Sequence, residues 1–349
     1  MTPDQCSACG QPTAGTDRYC EKCGQDLSAV LDGTAERDAR WLSSAGQPST
    51  CGGCGGTTFG AEGYCDTCGQ RRPSAKDHTE LVLGLLAAVT DKGKRHHHNE
   101  DAVALGQTAR ELVAVVCDGV SSSNRPDTAS NGAVDAAAAV LVDALRRRQP
   151  AADAIGAATR AAQAAAALAG GPDPGANPPS STFVCAVVAA DTVTVGWVGD
   201  SRAYWLPDEP NHAEHGAPAC LTVDDSLAGQ LAAAGRSLPD DVPYASAAAL
   251  QRWLGADAPE TTPHLYAFTP PGPGRVLVCS DGLFRYRPDA ADLAAATPRI
   301  GPLETARALV RLALDAGGQD NIAVAVLPYP PIGIEESGDV AGRGIEESP

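Results

Sequence analysis

Eight cysteines within the first 68 residues constrain the start of the chain more than any other feature. They form two blocks of identical spacing, each made of two Cys-x-x-Cys pairs: Cys6, Cys9, Cys20 and Cys23, then Cys51, Cys54, Cys65 and Cys68. Tyr19 and Gly24 recur as Tyr64 and Gly69, so the module is duplicated. Two such pairs supply the four thiolates of a closed, tetrahedral zinc site. The repeat therefore predicts two structural zinc ions, and a thioredoxin-type redox role fits a fourfold repeat less well.

Each block is too short to fold without its metal, and the blocks resemble the zinc ribbons of bacterial regulatory proteins. We predict ribbons at residues 1–26 and 48–75, separated by a linker at 27–47 in which the apolar spacing predicts a short helix. Residues 1–75 carry more acidic than basic side chains, which disfavours nucleic-acid binding. We therefore expect the ribbons to recruit proteins.

The charge and the hydropathy of the chain argue against a nucleic-acid-binding protein and against a membrane protein. A formal charge of −17, from 43 acidic and 26 basic residues, disfavours binding to a phosphate backbone. No apolar run approaches the ~18 residues that a membrane span needs. The first residues lack the basic and apolar regions of a signal peptide, so we expect a cytoplasmic protein without nucleic-acid or membrane partners.

The remainder of the chain predicts one large domain at residues 80–329. Apolar runs such as 81–90 and 111–117 predict strands, and alanine-rich segments such as 127–148 predict helices. Their order is not a regular alternation, which favours an α+β fold with antiparallel sheets and packed helices. An acidic repeat beyond this domain predicts a disordered tail at residues 330–349.

Acidic residues recur where the predicted strands end. The motifs are Asn99-Glu100-Asp101, Asp118-Gly119, Gly199-Asp200, Ser280-Asp281-Gly282 and Asp320-Asn321. A single Asp-Gly pair is more often a turn than a ligand. Several carboxylates gathered at one rim repel each other unless cations hold them, and oxygen ligands select Mg or Mn. The recurrence therefore predicts a site for such ions.

This ordered set resembles the metal-dependent protein phosphatases of the 2C type, from Thr90 to Leu327. Further matching motifs are Thr90-Asp91-x-Gly93, Ser181-Thr182, Gly199-Asp200-Ser201-Arg202 and Leu221-Thr222-x-Asp224-Asp225-Ser226. The resemblance implies a sandwich of two antiparallel β-sheets flanked by helices, preceded here by the two zinc ribbons. It also implies a protein serine/threonine phosphatase that hydrolyses phosphoserine and phosphothreonine by attack of a metal-bridging hydroxide.

The resemblance implies two Mn or Mg ions, with a third, looser ion as an alternative. Asp118 would bridge two ions, and Asp281 and Asp320 would complete the first. The implied catalytic residues are Asp118, Asp281, Asp320 and Asp101, and the implied ligands of the ions are Asp118, the Gly119 carbonyl, Asp281, Asp320, Asp101, Glu100 and Asp200. Asp101 and Glu100 would act through bound water, and Asp200 would hold the third ion.

Three positions depart from the family pattern. The arginine that grips the substrate phosphate is expected three residues after Gly93, where this chain has His96, while Arg95 lies one position earlier. Either Arg95 or His96 would bind the phosphate. Residues 120–123 lack the histidine that some relatives use as a general acid, so bound water or another residue would protonate the leaving group. Asp225 stands where relatives often have histidine, and the sequence gives it no role.

A second function remains open. A catalytically silent member of the family would be a phosphoprotein-binding protein or a zinc-ribbon adaptor. Loss of a metal-binding aspartate would indicate such a protein, and none of them is lost. The partners expected for the enzyme are phosphoproteins modified by serine/threonine kinases.

Overall fold

The computed structural model describes residues 40–44, 58, 66–68, 75–173, 175–209, 216–259 and 261–331. All of them belong to one compact unit within residues 39–349. The first cysteine block, most of the second block and residues 332–349 lie outside the described residues, and with them the predicted zinc sites and nearly all of the predicted tail. Cys68, which is described, is exposed.

The described part of the chain contains fourteen strands. In chain order they are β1 (Arg40–Ser43), β2 (His78–Leu83), β3 (Leu86–Asp91), β4 (Ala102–Gln107), β5 (Leu112–Cys117), β6 (Ser180–Ser181), β7 (Phe183–Val188), β8 (Val193–Val198), β9 (Arg202–Pro207), β10 (Ala219–Cys220), β11 (Leu254–Gly255), β12 (His264–Phe268), β13 (Gly274–Cys279) and β14 (Ile322–Tyr329).

The described part of the chain has three long α-helices and four short ones. They are α1 (Pro126–Arg146), α2 (Ala151–Leu168), α3 (Leu227–Ala233), α4 (Tyr244–Ala247), α5 (Asp281–Phe284), α6 (Ala290–Ala296) and α7 (Pro302–Asp315). Both α1 and α7 begin with proline, whose missing N–H costs nothing at a helix start. In the described part of the chain, none of the helices has the length and apolar character that a membrane crossing requires.

Two six-stranded sheets form the centre of the fold. The first has the strand order β1-β4-β5-β7-β8-β12, and the second has the order β10-β9-β13-β14-β3-β2. All pairings within both sheets are antiparallel. The predicted sandwich of two antiparallel sheets is therefore confirmed.

Strand β5 shows how the layers are built. Leu112, Ala114 and Val116 lie in the core between the two sheets, whereas the alternate side chains of the strand pack against α1 and α2. A strand that is buried on both faces has a continuous apolar sequence, which is why residues 111–117 show no polar alternation. On the far side of the second sheet, Leu309 of α7 packs with Val324 of β14. The order of layers is thus helices, sheet, sheet, helices.

Two expectations about local structure are wrong. Residues 81–90 form parts of two antiparallel strands, β2 and β3, joined by a turn at residues 84–85, and not one strand. Residues 40–43 of the expected linker form β1, the edge strand of the first sheet. The rest of that linker, apart from Ser44, lies outside the described residues.

Long-range pairing explains why β1 is a strand. The Ser44 N–H donates to the Val103 carbonyl over 2.9 Å, and the Val103 N–H donates to Ser44 Oγ over 3.0 Å. Trp41 packs against the core that α1 and α2 form with the first sheet. Neither contact is visible in the local sequence pattern, because tertiary context decides strand formation at a sheet edge. The large domain therefore includes residues outside the predicted range 80–329.

Candidate active site

Strand register brings the first two acidic motifs together. Ala102 at the start of β4 pairs with Cys117 at the end of β5, so Asp101 and Asp118 leave neighbouring strands at the same end of the sheet. The Gly119 N–H donates to the Glu100 carbonyl over 3.1 Å. A Cβ at Gly119 would lie 2.8 Å from that carbonyl oxygen, so glycine allows this close approach.

The second sheet brings the last two motifs to the same end of the sandwich. Asp281 begins α5 directly beyond β13, and Asp320 precedes β14, which pairs with β13. A Cβ at Gly282 would lie 1.8 Å from the Asn321 carbonyl oxygen. Glycine at this position is what allows the segments of Asp281 and Asp320 to lie against each other.

A hydrogen bond joins the two sheets at this end. Ser280 Oγ donates to Asp101 Oδ2 over 2.7 Å, and it accepts from the Ala323 N–H over 2.9 Å. Asp101 is only 4% exposed. Its other oxygen, Oδ1, is buried and has no hydrogen-bond partner among the described residues. A buried carboxylate oxygen without a partner is costly, so it marks a place for a cation or for water.

The carboxylates act on one another electrostatically. Burial raises the pKa of Asp101 well above its usual range, Ser280 opposes this, and the charges of Asp281 and Asp320 add to it. Burial also raises the pKa of Asp118 well above its usual range, and the charges of Asp101 and Asp281 contribute further. These side chains therefore favour a bound positive charge at neutral pH.

Two basic side chains already contact the cluster. Arg285 Nη2 lies 2.6 Å from Asp281 Oδ2 and 3.1 Å from Asp320 Oδ2. His96 Nε2 lies 3.1 Å from the other oxygen of Asp320. Burial and the charge of Asp320 raise the pKa of Asp281, whereas Arg285 lowers it in part.

As the side chains stand, the described residues contain no group of three or more His, Cys, Asp or Glu that is arranged to hold a metal ion. The reason is visible in their partners. Arg285 holds one oxygen of Asp281, and Glu100 Oε2 accepts a hydrogen bond from Ser121 over 2.6 Å. The donor set nevertheless fits a hard divalent ion in its chemistry, since all of its donor atoms are oxygens of carboxylates or of the Gly119 carbonyl, and Asp101 Oδ1 is unpartnered.

Asp200 lies on the loop that follows β8. Burial, followed by the charge of Asp281, raises the pKa of Asp200 to about 7. The loop is fixed by Asp225, whose N–H donates to the Gly199 carbonyl over 2.9 Å and whose Oδ2 accepts from the Gly199 N–H over 2.8 Å. Asp225 also contacts His264 Nε2 through Oδ1, over 2.8 Å. These contacts give a structural reason for an aspartate at position 225.

Arg202 is tied into the same region. Its Nε and Nη2 each lie 2.8 Å from one oxygen of Asp224, and its guanidinium lies 3.9 Å from the centre of the Phe284 ring. The paired hydrogen bonds and the ring contact link the loop after β8 to α5. Arg202 therefore supports the segment that carries Asp281 without contacting the carboxylates of the cluster in the described contacts.

The structure brings some of the predicted site residues together and leaves others apart. One end of the sandwich gathers Asp101, Asp118, Gly119, Glu100, Asp200, Asp281 and Asp320. His96 contacts this cluster, whereas the Arg95 side chain is exposed. The eight cysteines cannot be placed with it, because seven lie outside the described residues.

Sequence reasoning missed the roles of Ser280 and Arg285. The sequence shows Ser280 only as part of the Ser280-Asp281-Gly282 motif, because its partner Asp101 lies 179 residues away. For Arg285 a weak signal exists, since it follows Asp281 by four residues at the start of a helix, and this spacing places two side chains on one face. Its contact with Asp320 depends on the packing of α5 beside β14.

Known proteins resemble this chain in sequence and in fold. The family model described as protein phosphatase 2C matches residues 91–313. The serine/threonine protein phosphatase PstP of Mycobacterium tuberculosis is 31% identical over 245 residues, which cover 69% of this chain and 44% of PstP. The chain thus matches less than half the length of that relative.

Two solved structures share the fold. The PPM Ser-Thr phosphatase MsPP from Mycobacterium smegmatis, in complex with cacodylate, is 27% identical with a TM-score of 0.56, and the match covers 70% of this chain and 98% of MsPP. The catalytic domain of PstP in complex with two manganese ions is 27% identical with a TM-score of 0.51, covering 69% of this chain and 96% of that domain. With its two antiparallel sheets, its carboxylates at one end and a family match over most of its length, the chain belongs to the protein phosphatase 2C family.

Proposed function

We propose that this chain is a metal-dependent protein serine/threonine phosphatase, which hydrolyses phosphoserine and phosphothreonine in proteins. Its relatives PstP and MsPP are serine/threonine phosphatases by name. The observation that carries the proposal is Asp101 Oδ1, a buried and unpartnered oxygen within carboxylates drawn from both sheets. Such an arrangement costs free energy unless it serves a bound cation.

Two Mn or Mg ions would be held by Asp118, the Gly119 carbonyl, Asp281 and Asp320. Asp101 and Glu100 would contact the ions through bound water. The structure of the PstP catalytic domain contains two manganese ions. When bound, such ions activate water near neutral pH and neutralise the charge of the phosphate. Asp200 is close enough to Asp281 and Asp118 for their charges to interact, which supports a third, looser ion as the alternative.

The chain itself orients the ligands. Ser280 fixes Asp101 by the bond to Oδ2, so that Oδ1 is left for a cation or a water molecule. Thr182 fixes the backbone at Asp118, because its Oγ1 accepts from the Asp118 N–H over 3.1 Å and its N–H donates to the Asp118 carbonyl over 2.8 Å. Such supporting bonds hold ligands within the narrow geometry that catalysis needs.

The residue that binds the substrate phosphate remains a choice between Arg95 and His96. His96 contacts the cluster at Asp320, whereas the Arg95 side chain is exposed. Replacing each by alanine separates the two. The residue that binds phosphate should raise KM for a phosphopeptide when it is removed, with a smaller effect on kcat.

The decisive experiment measures phosphate release from a phosphothreonine peptide by the full chain. Chelation should abolish activity, and added Mn should restore it. Asp118→Asn should remain inactive after Mn is added, while it keeps the melting behaviour of a folded protein. Activity that survives thorough chelation would refute the metal-dependent mechanism.

The same samples test the alternative, a catalytically silent phosphoprotein-binding or zinc-ribbon adaptor protein. Such a protein would bind the phosphopeptide but release no phosphate at millimolar Mn on any of several peptides. The enzyme should instead turn over, and its substrates would be phosphoproteins modified by serine/threonine kinases. Neither nucleic acid nor a membrane is among the proposed partners, and the proposed location is the cytoplasm.

We also propose one structural zinc ion in each cysteine block, with the two ribbons recruiting proteins. Residues 66–68 form a turn that ends at Cys68, and the Asp66 N–H donates to the Thr58 carbonyl over 3.2 Å. A tight turn between the two cysteines of a pair is the form that a zinc knuckle takes. Elemental analysis of protein made without chelator should find two zinc ions per chain. A value near zero, with disulfides in their place, would rule out the ribbons.

A further inference from the structure

We propose that Arg285 is an internal competitor of the metal ion, so that its guanidinium sets the affinity of the site for divalent cations. The Arg285 guanidinium lies between the carboxylates of Asp281 and Asp320 before an ion binds. It must leave the carboxylate oxygens when the ion binds. The proposal rests on the proposed function only in assuming a divalent-ion site at these carboxylates.

Geometry places a single nitrogen on both carboxylates. Arg285 Nη2 lies 2.6 Å from Asp281 Oδ2 and 3.1 Å from Asp320 Oδ2. An ion ligated by both aspartates would need the region between them that this nitrogen occupies, and two positive charges in that region would repel each other. The guanidinium and the ion therefore exclude each other at these two oxygens.

The arrangement of the other ligands agrees with this competition. The described residues contain no ready-made group of three metal-binding side chains. Asp281 and Asp320 are turned toward Arg285, while Asp101 keeps an unpartnered oxygen in the same cluster. Release of Arg285 would free one oxygen on each of the two aspartates.

Arg285 is able to leave without a large cost. Its side chain is 45% exposed, so the released guanidinium would be solvated by water. The charge stays on arginine throughout, because no proton is exchanged in the displacement. The chain would thus exchange one cation for another at Asp281 and Asp320, and the net effect on affinity is the free energy of the two arginine contacts.

The test measures Mn binding to the chelator-treated full chain by calorimetry, without substrate. Arg285→Gln should bind Mn about fivefold more tightly, as expected for removing partly exposed ion pairs. Arg285→Lys keeps the positive charge and should bind with an affinity close to that of the unchanged chain. Arg287→Gln is the matched control, because Arg287 is an exposed arginine two residues away whose described bond is to the Tyr286 carbonyl.

A second readout is the melting temperature with and without Mn. Arg285→Gln should melt lower than the unchanged chain without Mn, because Asp281 and Asp320 lose their cation, and the gap should close at saturating Mn. Equal or weaker Mn binding by Arg285→Gln would overturn the proposed competition and leave the phosphatase proposal intact. Absence of Mn binding in all four proteins would overturn both.

Discussion

Ser280 and Asp101 connect the two sheets of the sandwich through one hydrogen bond of 2.7 Å. Ser280 follows β13 of the second sheet, and Asp101 precedes β4 of the first. The same hydroxyl accepts from the Ala323 N–H, so the serine is held by β14 while it holds the aspartate. The position of a proposed metal ligand in one sheet therefore depends on a side chain from the other.

Replacing Ser280 by alanine should weaken the metal site. Asp101 would lose the partner of Oδ2 in addition to lacking one for Oδ1, and the Ala323 N–H would lose its acceptor. Loss of a bond that supports a metal ligand costs about 10- to 100-fold in metal affinity or activity. Calorimetry with Mn and kcat/KM on a phosphopeptide should both show this loss.

Ser122→Ala is a suitable control for this change, because Ser122 is exposed and its described hydrogen bond, from Asn177, is to its backbone carbonyl, which the substitution keeps. It should leave Mn affinity and turnover within about twofold, as expected for a surface substitution. If Ser280→Ala binds Mn as tightly as the unchanged chain, Ser280 does not position Asp101.

Replacing the aspartates themselves should have larger effects. Asp118→Asn, Asp281→Asn and Asp320→Asn should each lower kcat/KM by about 100-fold or more, because the charge stabilisation that an ion supplies is worth several kcal/mol. The fold should survive, since removing a negative charge relieves repulsion within the cluster. Steady-state kinetics at saturating Mn, with circular dichroism as the folding control, checks this expectation. Retained activity in Asp118→Asn would exclude that residue as the bridging ligand.

Much of this site was predictable because its signals are local. An apolar run that stops at Asp118-Gly119 or at Asp281-Gly282 predicts the end of a strand, and the ends of strands gather in space. The contacts of Arg285 with Asp320 and of Ser280 with Asp101 were not predictable in this way. Both depend on how separate strands pair, and no short-range pattern encodes that pairing.

Strand β1 was missed for a similar reason. Arg40–Ser43 is short and lies in a segment where other apolar residues follow helical spacing. Its pairing with β4 provides the hydrogen bonds, and its local propensity is weak. The edge strand β12 (His264–Phe268) was also missed, because all of its side chains except Phe268 are exposed and no buried face marks the segment.

Shortening the chain should reveal the role of β1. A chain that starts at residue 39 keeps β1 and should retain activity on a small phosphopeptide within a few-fold. A chain that starts at residue 75 lacks β1 and should unfold at a lower denaturant concentration, since the pairing with β4 and the packing of Trp41 are lost. Urea denaturation and kcat/KM of both chains check this expectation.

A matched pair of substitutions in the full chain separates β1 from the cysteine blocks. Trp41→Ala should destabilise by about 2 kcal/mol, below the range for a fully buried tryptophan, because Trp41 is half-buried. Leu42→Ala should cost less than about 1 kcal/mol, because Leu42 is 39% exposed. Equal stability of Trp41→Ala and the unchanged chain would mean that β1 contributes little.

A pH-dependent contribution to stability is expected at His78. Its Nδ1 lies 2.7 Å from Asp91 Oδ2, and this hydrogen bond raises the pKa of His78. Burial lowers that pKa in part, and Glu80 raises it further. A histidine whose pKa is raised by folding stabilises the folded state fully when the pH is below the pKa of the unfolded state. This stabilisation is lost as the pH rises through the pKa of the folded state. His78→Gln should therefore cost about 0.5 kcal/mol at pH 5.5, a value reduced by solvent screening, and nothing at pH 9.

Urea denaturation of His78→Gln at the two pH values, in saturating Mn, measures this difference. His97→Gln is the control, because His97 is exposed and lies outside the His78 contacts. A cost for His78→Gln that is equal at pH 5.5 and pH 9 would mean that the contribution is packing and not charge.

The place of β1 at the edge of the first sheet also bears on self-association of the chain. Without β1, the outer side of β4 would present a row of unpaired N–H and C=O groups to the solvent. Such a row is a template on which another chain can add a strand. The four residues Arg40–Ser43 close that template from within the same molecule, so a chain cut after Ser44 gains a surface suited to self-association.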